Sequence, residues 1–251
     1  MNNPRLLILI SLLLVVVMGA SKANSGEIRV AVASNFNEAI RALATGFEDK
    51  TGHRVVVIFG STGKHYAQIK HGAPYDIFLA ADKVRPKLLD EEGVAIPSSR
   101  FTYAIGQLVL WSPNNKSVVG GLAAIKQKSY RYLALANPKL APYGEAAREV
   151  LQANGLWEEL QGKMVKGENV GQAYQFVQSG NAELGFVAYS QVKIKIEAKK
   201  GFGWLVPQSL YTPIEQQAVL LSDNPVAHQF ISFIRSQESK MLIESFGYRT
   251  L

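Results

Sequence analysis

The chain contains no cysteine. Disulfides, thiol nucleophiles, thiolate–metal sites and a cysteine-linked lipid anchor are excluded, so stability must come from buried apolar surface. Histidine is scarce: His65 and His71, the two nearest in sequence, lack the His-x-x-x-His spacing of a zinc helix, and no serine stands in a Gly-x-Ser-x-Gly elbow. These gaps weigh against a hydrolase. There is also no Gly/Ser-rich linker, low-complexity segment or internal repeat, which favours parts joined by strands over parts joined by a flexible string.

No apolar run reaches the roughly 20 residues that a spanning helix requires. The longest is Leu6 to Val17, preceded by Arg5 and followed by the small residues Ser21 and Ala23. That order reads as a secretory signal peptide over residues 1–23, cleaved after Ala23. Loss of Arg5 and Lys22 lowers the net charge from +7 to +5. The remaining charge is spread out, so nucleic acid is not an expected partner, and Lys193, Lys195, Lys199 and Lys200 read as a solvated helix face or loop.

Apolar residues make up 47% of the chain, enough for a large core. Short β-branched runs alternate with amphipathic stretches, the pattern of parallel sheets flanked by helices. Strands are expected at Glu27–Ala33, Arg54–Phe59 and Asp76–Ala81, with helices after each. One long extended stretch, Phe101–Trp111, leads to a second series with strands at Tyr130–Ala136, Met164–Lys166 and Leu184–Tyr189. A further extended stretch, Thr212–Leu221, precedes two terminal helices. Two α/β series separated by one crossing segment, with a second returning, imply two lobes able to close around a ligand: 24–104 plus 213–251, and 105–212.

In open α/β sheets ligands bind beyond the carboxyl ends of the strands. Four such junctions carry similar chemistry. Ser34-Asn35 follows the first strand, where Asn35 and Glu38 have capping-box spacing. Gly60-Ser61-Thr62-Gly63 follows the second. Ala141-Pro142-Tyr143-Gly144 places a proline in a first helical turn beside a phenol. Asn169-Val170-Gly171-Gln172 again has capping-box spacing. Each offers free N–H groups at a helix start, and together they suit an oxyanion without a cationic side chain. Taken singly, each is an ordinary helix cap. Gly60-Ser61-Thr62-Gly63-Lys64 is not a phosphate-cradling P-loop, because its glycines are too close and His65 replaces the magnesium-binding hydroxyl.

Val32-Ala33-Ser34-Asn35-Phe36, Phe59-Gly60-Ser61-Thr62-Gly63-Lys64, Gly72-Ala73-Pro74-Tyr75-Asp76-Ile77-Phe78-Leu79-Ala80-Ala81-Asp82 and the closing Phe246-Gly247-Tyr248 resemble the periplasmic molybdate-binding proteins of ABC transporters over the whole mature chain. The resemblance implies an α/β, two-lobed type II periplasmic binding fold, each lobe a mainly parallel sheet flanked by helices, joined by two crossover strands. It implies no enzymatic activity, no cofactor and no cation-binding metal site. The ligand would be molybdate or tungstate, the partner a membrane permease of an ABC importer, and the protein a periplasmic monomer. The implied contacts are the hydroxyls of Ser34 and Thr62 with Ser61 beside it, the residue after the proline of the third junction, Tyr143, the backbone of Val170, and Tyr189 on a later strand. Asn35, where many members have an apolar residue, joins that set. Tyr143 stands where some have alanine, and Thr62 replaces the commoner serine.

Overall fold

The computed structural model describes residues 25–251; the expected signal peptide lies outside the described residues. The first strand, β1 (Glu27–Ala33), is rich in valine and alanine and is buried at five of its seven positions, all but Glu27 and Arg29. It lies between β2 (Arg54–Gly60) and β3 (Ile77–Leu79), parallel to both. Helix α1 (Asn37–Thr51) buries Ala39, Ile40, Leu43, Ala44 and Phe47 on one face and ends at Gly52, whose φ of 72° closes the helix with an N–H to the Glu48 carbonyl. Two short helices, α2 (Thr62–Lys70) and α3 (Val84–Glu91), follow β2 and β3.

The long extended stretch is broken at Gln107. Its first part is β4 (Phe101–Gly106) in one sheet, and its second is β5 (Leu108–Ser112) in another. After the short helix α4 (Leu122–Gln127) the second sheet is built from β6 (Leu133–Ala136), β7 (Met164–Gly167), β8 (Leu184–Ala188) and β9 (Phe202–Leu205). Helix α5 (Pro142–Ala153) connects β6 to β7, and α6 (Val170–Gln178) connects β7 to β8. Helix α7 (Tyr189–Glu197) follows β8 directly. The chain returns through β10 (Ile214–Leu220) to the first sheet and ends in α8 (Pro225–Ile234) and α9 (Gln237–Ser245).

The strand orders are β2-β1-β3-β10-β4 and β7-β6-β8-β5-β9. In each sheet three strands run parallel, β10 or β5 runs antiparallel to them, and the edge strand, β4 or β9, is antiparallel to that one in turn. Each sheet has its own core: one centres on Phe36, Ile40, Phe47 and Phe230, the other on Leu110, Leu135, Leu151 and Phe186.

Register is what positions the site. Ala33 pairs with Gly60 at the ends of β1 and β2, and Ala136 pairs with Gly167 at the ends of β6 and β7. The loops that leave each pair therefore start level with one another, along one edge of each sheet. Helix α5 sits so close to β6 that a Cβ on Gly144 would lie 2.2 Å from the Ala136 carbonyl oxygen. Gly144→Ala should lift the start of α5 off the sheet and lower stability by about 1–3 kcal/mol, the usual cost of overpacking, as read from a chemical or thermal unfolding curve.

Candidate functional site

The four junctions meet. Ala33, Ser34 and Asn35 at the end of β1, Gly60, Ser61 and Thr62 at the end of β2, Ala81 after β3, Ala141, Pro142 and Tyr143 at the start of α5, and Asn169 and Val170 at the start of α6 line one small cavity. Ser61, Thr62, Tyr143, Val170 and Asn35 are buried there. None of these residues is Lys, Arg, His, Asp or Glu. Two wider grooves adjoin it, one sharing Ala81 and Pro142, the other Ser34 and Asn35. The first is bordered by Asp82, Glu145, Glu149 and Glu215 together with Lys83, Arg85 and Lys139, and the second by Glu38 together with Lys195 and Lys200, so charged side chains of both signs border these grooves, unlike the small cavity.

The hydroxyls of the small cavity share one arrangement: each oxygen already accepts from an amide. Ser34 Oγ takes the Gly171 N–H at 3.0 Å, across the two lobes. Ser61 Oγ takes the Lys64 N–H at 3.3 Å as the cap of α2, and Thr62 Oγ1 takes the Ala81 N–H at 3.0 Å. Tyr143 Oη takes the Gln216 side-chain amide at 3.2 Å. A hydroxyl carries one hydrogen, so fixing the oxygen as an acceptor leaves that hydrogen to be donated elsewhere. The first N–H groups of α2, α5 and α6 have no partner within their own helices, and they carry the positive end of the helix dipole. Pro142, at the start of α5, has no N–H, so Tyr143 supplies the first one there.

Burial pushes the Tyr143 phenol well above its ordinary value, helped by the neighbouring Tyr248, Tyr103 and Tyr211 and opposed by the Gln216 hydrogen bond. The phenol is a neutral donor. Tyr103 and Tyr248 are raised by the same desolvation.

Further contacts hold the lobes together around the cavity. Gly63 N–H donates to the Leu140 carbonyl at 2.9 Å, and Ser190 Oγ donates to the Asn35 carbonyl at 3.1 Å. Lys64, read from sequence as a surface residue, pairs with Glu168 of the other lobe at 3.2 Å in an exposed position, which cancels its charge locally.

The chain as a whole is similar to known proteins. A family described as bacterial extracellular solute-binding protein matches residues 28–249. The chain belongs to that family. It is 46% identical to the molybdate-binding protein ModA of Azotobacter vinelandii over 242 residues, covering 94% of this chain and 96% of the relative. Identity to the molybdate-binding protein ModA of Rhodobacter capsulatus is also 46%, over 241 residues and 94% of each chain. The solved structure of the Azotobacter vinelandii periplasmic molybdate-binding protein superimposes with a TM-score of 0.84 at 40% identity, covering 89% of this chain and 99% of that one. The two-lobed periplasmic binding fold is thereby the fold of this solute-binding protein.

Six of the seven residues singled out from sequence line the cavity; Tyr189 does not. β8 stops at Ala188, and Tyr189 opens α7 instead of closing a strand. Its ring packs against Gly247 and beside the Trp111 cluster. The capping role read for Asn35 with Glu38 is also corrected. Ser34–Phe36 is a turn of 3-10 helix, α1 begins two residues later, and no side chain caps it. Both Asn35 amide hydrogens are spent, on Gln216 Oε1 at 2.8 Å and Tyr248 Oη at 3.0 Å. Its Oδ1 is buried with no partner among the described residues. In the fourth junction half of the expected pattern is present: Asn169 Oδ1 accepts from Gln172 N–H at 3.0 Å, while Gln172 Oε1 accepts from the Glu168 N–H and not from that of Asn169.

Sequence reading missed Gln216, Tyr103 and Tyr248, the residues behind the cavity. One signal existed: two adjacent amides, Gln216-Gln217, break the alternation of polar and apolar residues expected of a half-buried strand. Among the described residues no group of three or more His, Asp or Glu side chains could hold a metal ion, and no helix is long and apolar enough to cross a membrane.

The raised phenols have a measurable consequence. A tyrosine whose folded pKa lies above its unfolded value near 10 favours the fold below that pH, and the contribution is lost as pH rises through it. Ultraviolet titration should show Tyr103, Tyr143 and Tyr248 still un-ionised where exposed tyrosines have titrated, followed by unfolding as they finally ionise.

Proposed function

We propose that this protein binds molybdate in the small cavity between its lobes and delivers it to the membrane permease of an ABC importer. One observation carries the reading: the wall is made of peptide N–H groups and hydroxyls whose oxygens are already occupied, with no ionised side chain. The names of the relatives at 46% identity support the choice of ligand. Ser34, Ser61, Thr62 and Tyr143 donate through hydroxyls and Val170 through its N–H. Asn35 contributes through its main chain, since its amide hydrogens are engaged elsewhere.

Such a wall rewards a fully deprotonated dianion, all of whose oxygens accept. Tungstate, with the same charge and shape, binds in the same way. A protonated oxyanion brings an O–H that needs an acceptor, and burying it unsatisfied costs about 1–3 kcal/mol. One observation favours a second reading, a protonated oxyanion such as hydrogen phosphate: the unpartnered Asn35 Oδ1 is an acceptor able to take that O–H. The lobes, residues 24–104 with 213–251 and residues 105–212, close over the ligand about the two crossing strands. The reading further takes residues 1–23 as a cleaved signal peptide, the mature protein as a periplasmic monomer, and the molecule as a carrier without catalytic activity.

A thermal-shift panel separates the ligands. Molybdate and tungstate at a hundred times their dissociation constants should stabilise the fold by about 2.7 kcal/mol, with sulfate and phosphate shifting it little at equal concentration. A larger shift with phosphate would select the second reading. By titration calorimetry, Ser34→Ala and Thr62→Ala should each weaken molybdate binding by about 1–2 kcal/mol, since each removes a donor to a charged acceptor. Unchanged affinity in both would remove them from the site.

A further inference from the structure

Behind the cavity lies a chain of hydrogen bonds in which each donor and acceptor role is fixed by its neighbours. The Asn35 main-chain carbonyl can only accept, and Tyr248 Oη lies 2.8 Å from it, so the Tyr248 phenol donates there. The oxygen of Tyr248 is then free to accept, and the Asn35 side-chain atom 3.0 Å away must be the nitrogen. The second hydrogen of that nitrogen points to Gln216 at 2.8 Å, which must present its oxygen. Tyr103 Oη lies 3.0 Å from the same oxygen and 3.0 Å from the Ala80 carbonyl, and its one hydrogen is shared between these two acceptors. The Gln216 nitrogen therefore faces Tyr143, 3.2 Å away, and Tyr143 Oη accepts. Turning the Gln216 amide over would set its nitrogen against the Asn35 nitrogen.

Two features of the backbone are shaped around this last contact. The β10–β4 pairing slips between Gln216 and Gln217, and such bulges re-aim side chains. Gln216 is fully buried and Gln217 nearly so, although neighbours on a regular strand face opposite ways. At the crossing point, a Cβ on Gly106 would lie 2.1 Å from Tyr143 Oη and 2.6 Å from Gln216 Nε2. The glycine leaves room for the pair.

We propose that Gln216 is a positioning residue for oxyanion binding: as the last link of this chain, it holds Tyr143 Oη as an acceptor and so directs the phenol hydrogen into the cavity. It does not itself line the cavity. The inference rests on the molybdate reading given above, and it adds that the donor property of a phenol in one lobe is set by an amide carried on a strand of the other.

The test is a double-mutant cycle by titration calorimetry with molybdate, each variant first shown to be folded by circular dichroism. Gln216→Met keeps the length of the side chain and removes its amide; it should weaken binding about tenfold, and Tyr143→Phe about the same. If Gln216 acts through the phenol, the double variant should lose little more than either single one, not the product of about a hundredfold. Gln216→Glu gives a readout that packing alone would not. At pH 8 its carboxylate would draw the phenol hydrogen away and repel the anion, weakening binding more than the methionine does. Towards pH 5 a buried carboxyl takes a proton and can donate to Tyr143 again, so affinity should recover. The groups packed around position 216 do not titrate in that interval: Tyr103 from β4, Tyr143 from α5 and the C-terminal Tyr248 are phenols raised by burial. Asp82, in the turn before α3, is the carboxylate whose charge reaches Tyr103.

A parent that takes no molybdate overturns the ligand reading and this inference with it. With a parent that binds, parent-like affinity in Gln216→Met or multiplicative losses in the cycle overturn the role of Gln216 alone. Should the methionine variant not fold, the glutamate variant decides: affinity near that of the parent at pH 8 and flat to pH 5 is the outcome against it.

Discussion

A peptide N–H at the start of a helix has no partner inside that helix, and burying it without one is costly. This protein brings three such starts, α2 from one sheet and α5 and α6 from the other, around one small space, together with the turn after β1. A cluster of that kind is stable when something rich in acceptors sits among the donors. The electrostatic character of the cavity, the absence of ionised side chains from its wall and the approach of the two lobes all follow from that requirement.

The hydroxyls extend the same logic from backbone to side chains. Ser34, Ser61, Thr62 and Tyr143 lie on separate elements, yet each has its oxygen tied by an amide donor. A free serine or tyrosine presents either a lone pair or a hydrogen to a guest. These are held to one role before any guest arrives, so reorganisation on binding is small, which is how a preorganised site gains affinity. The Ser34 bond is also a bond between lobes, so the group that would meet the ligand helps to keep the lobes together.

Much of this was legible in the sequence. Strands ending in small and hydroxyl residues, followed at once by helix starts, mark the junctions, because both signals are local: alternation and capping act over a few residues. The alanine- and valine-rich runs of β1 and β6 mark buried parallel strands for the same reason. Less was legible where local signals compete. The stretch from Phe101 to Trp111 reads as continuous because all its residues favour extended backbone, and only the assignment of its halves to different sheets breaks it at Gln107. Helix α7 and strand β9 were not visible, since the lysines around them read equally well as a loop. Tyr189 reads as the end of a strand because the apolar run before it carries no stop signal.

The sequence by itself determined the α/β class, the two series with their crossings, the reliance on a core without disulfides, and the four hydroxyl- and amide-bearing turns. Those are properties of residues and their near neighbours. Only the tertiary structure decided that Asn35 is a tie to Gln216 and Tyr248 and not a helix cap, that Gln216 stands behind Tyr143, and that Gly106 makes space for both. Hydrogen-bond direction is a property of a closed network. Asn35 and Gln216 are separated by 181 residues, Asn35 and Tyr248 by 213. No spacing rule reaches that far, because what places such groups together is the packing of two sheets and the register of the strands that cross between them.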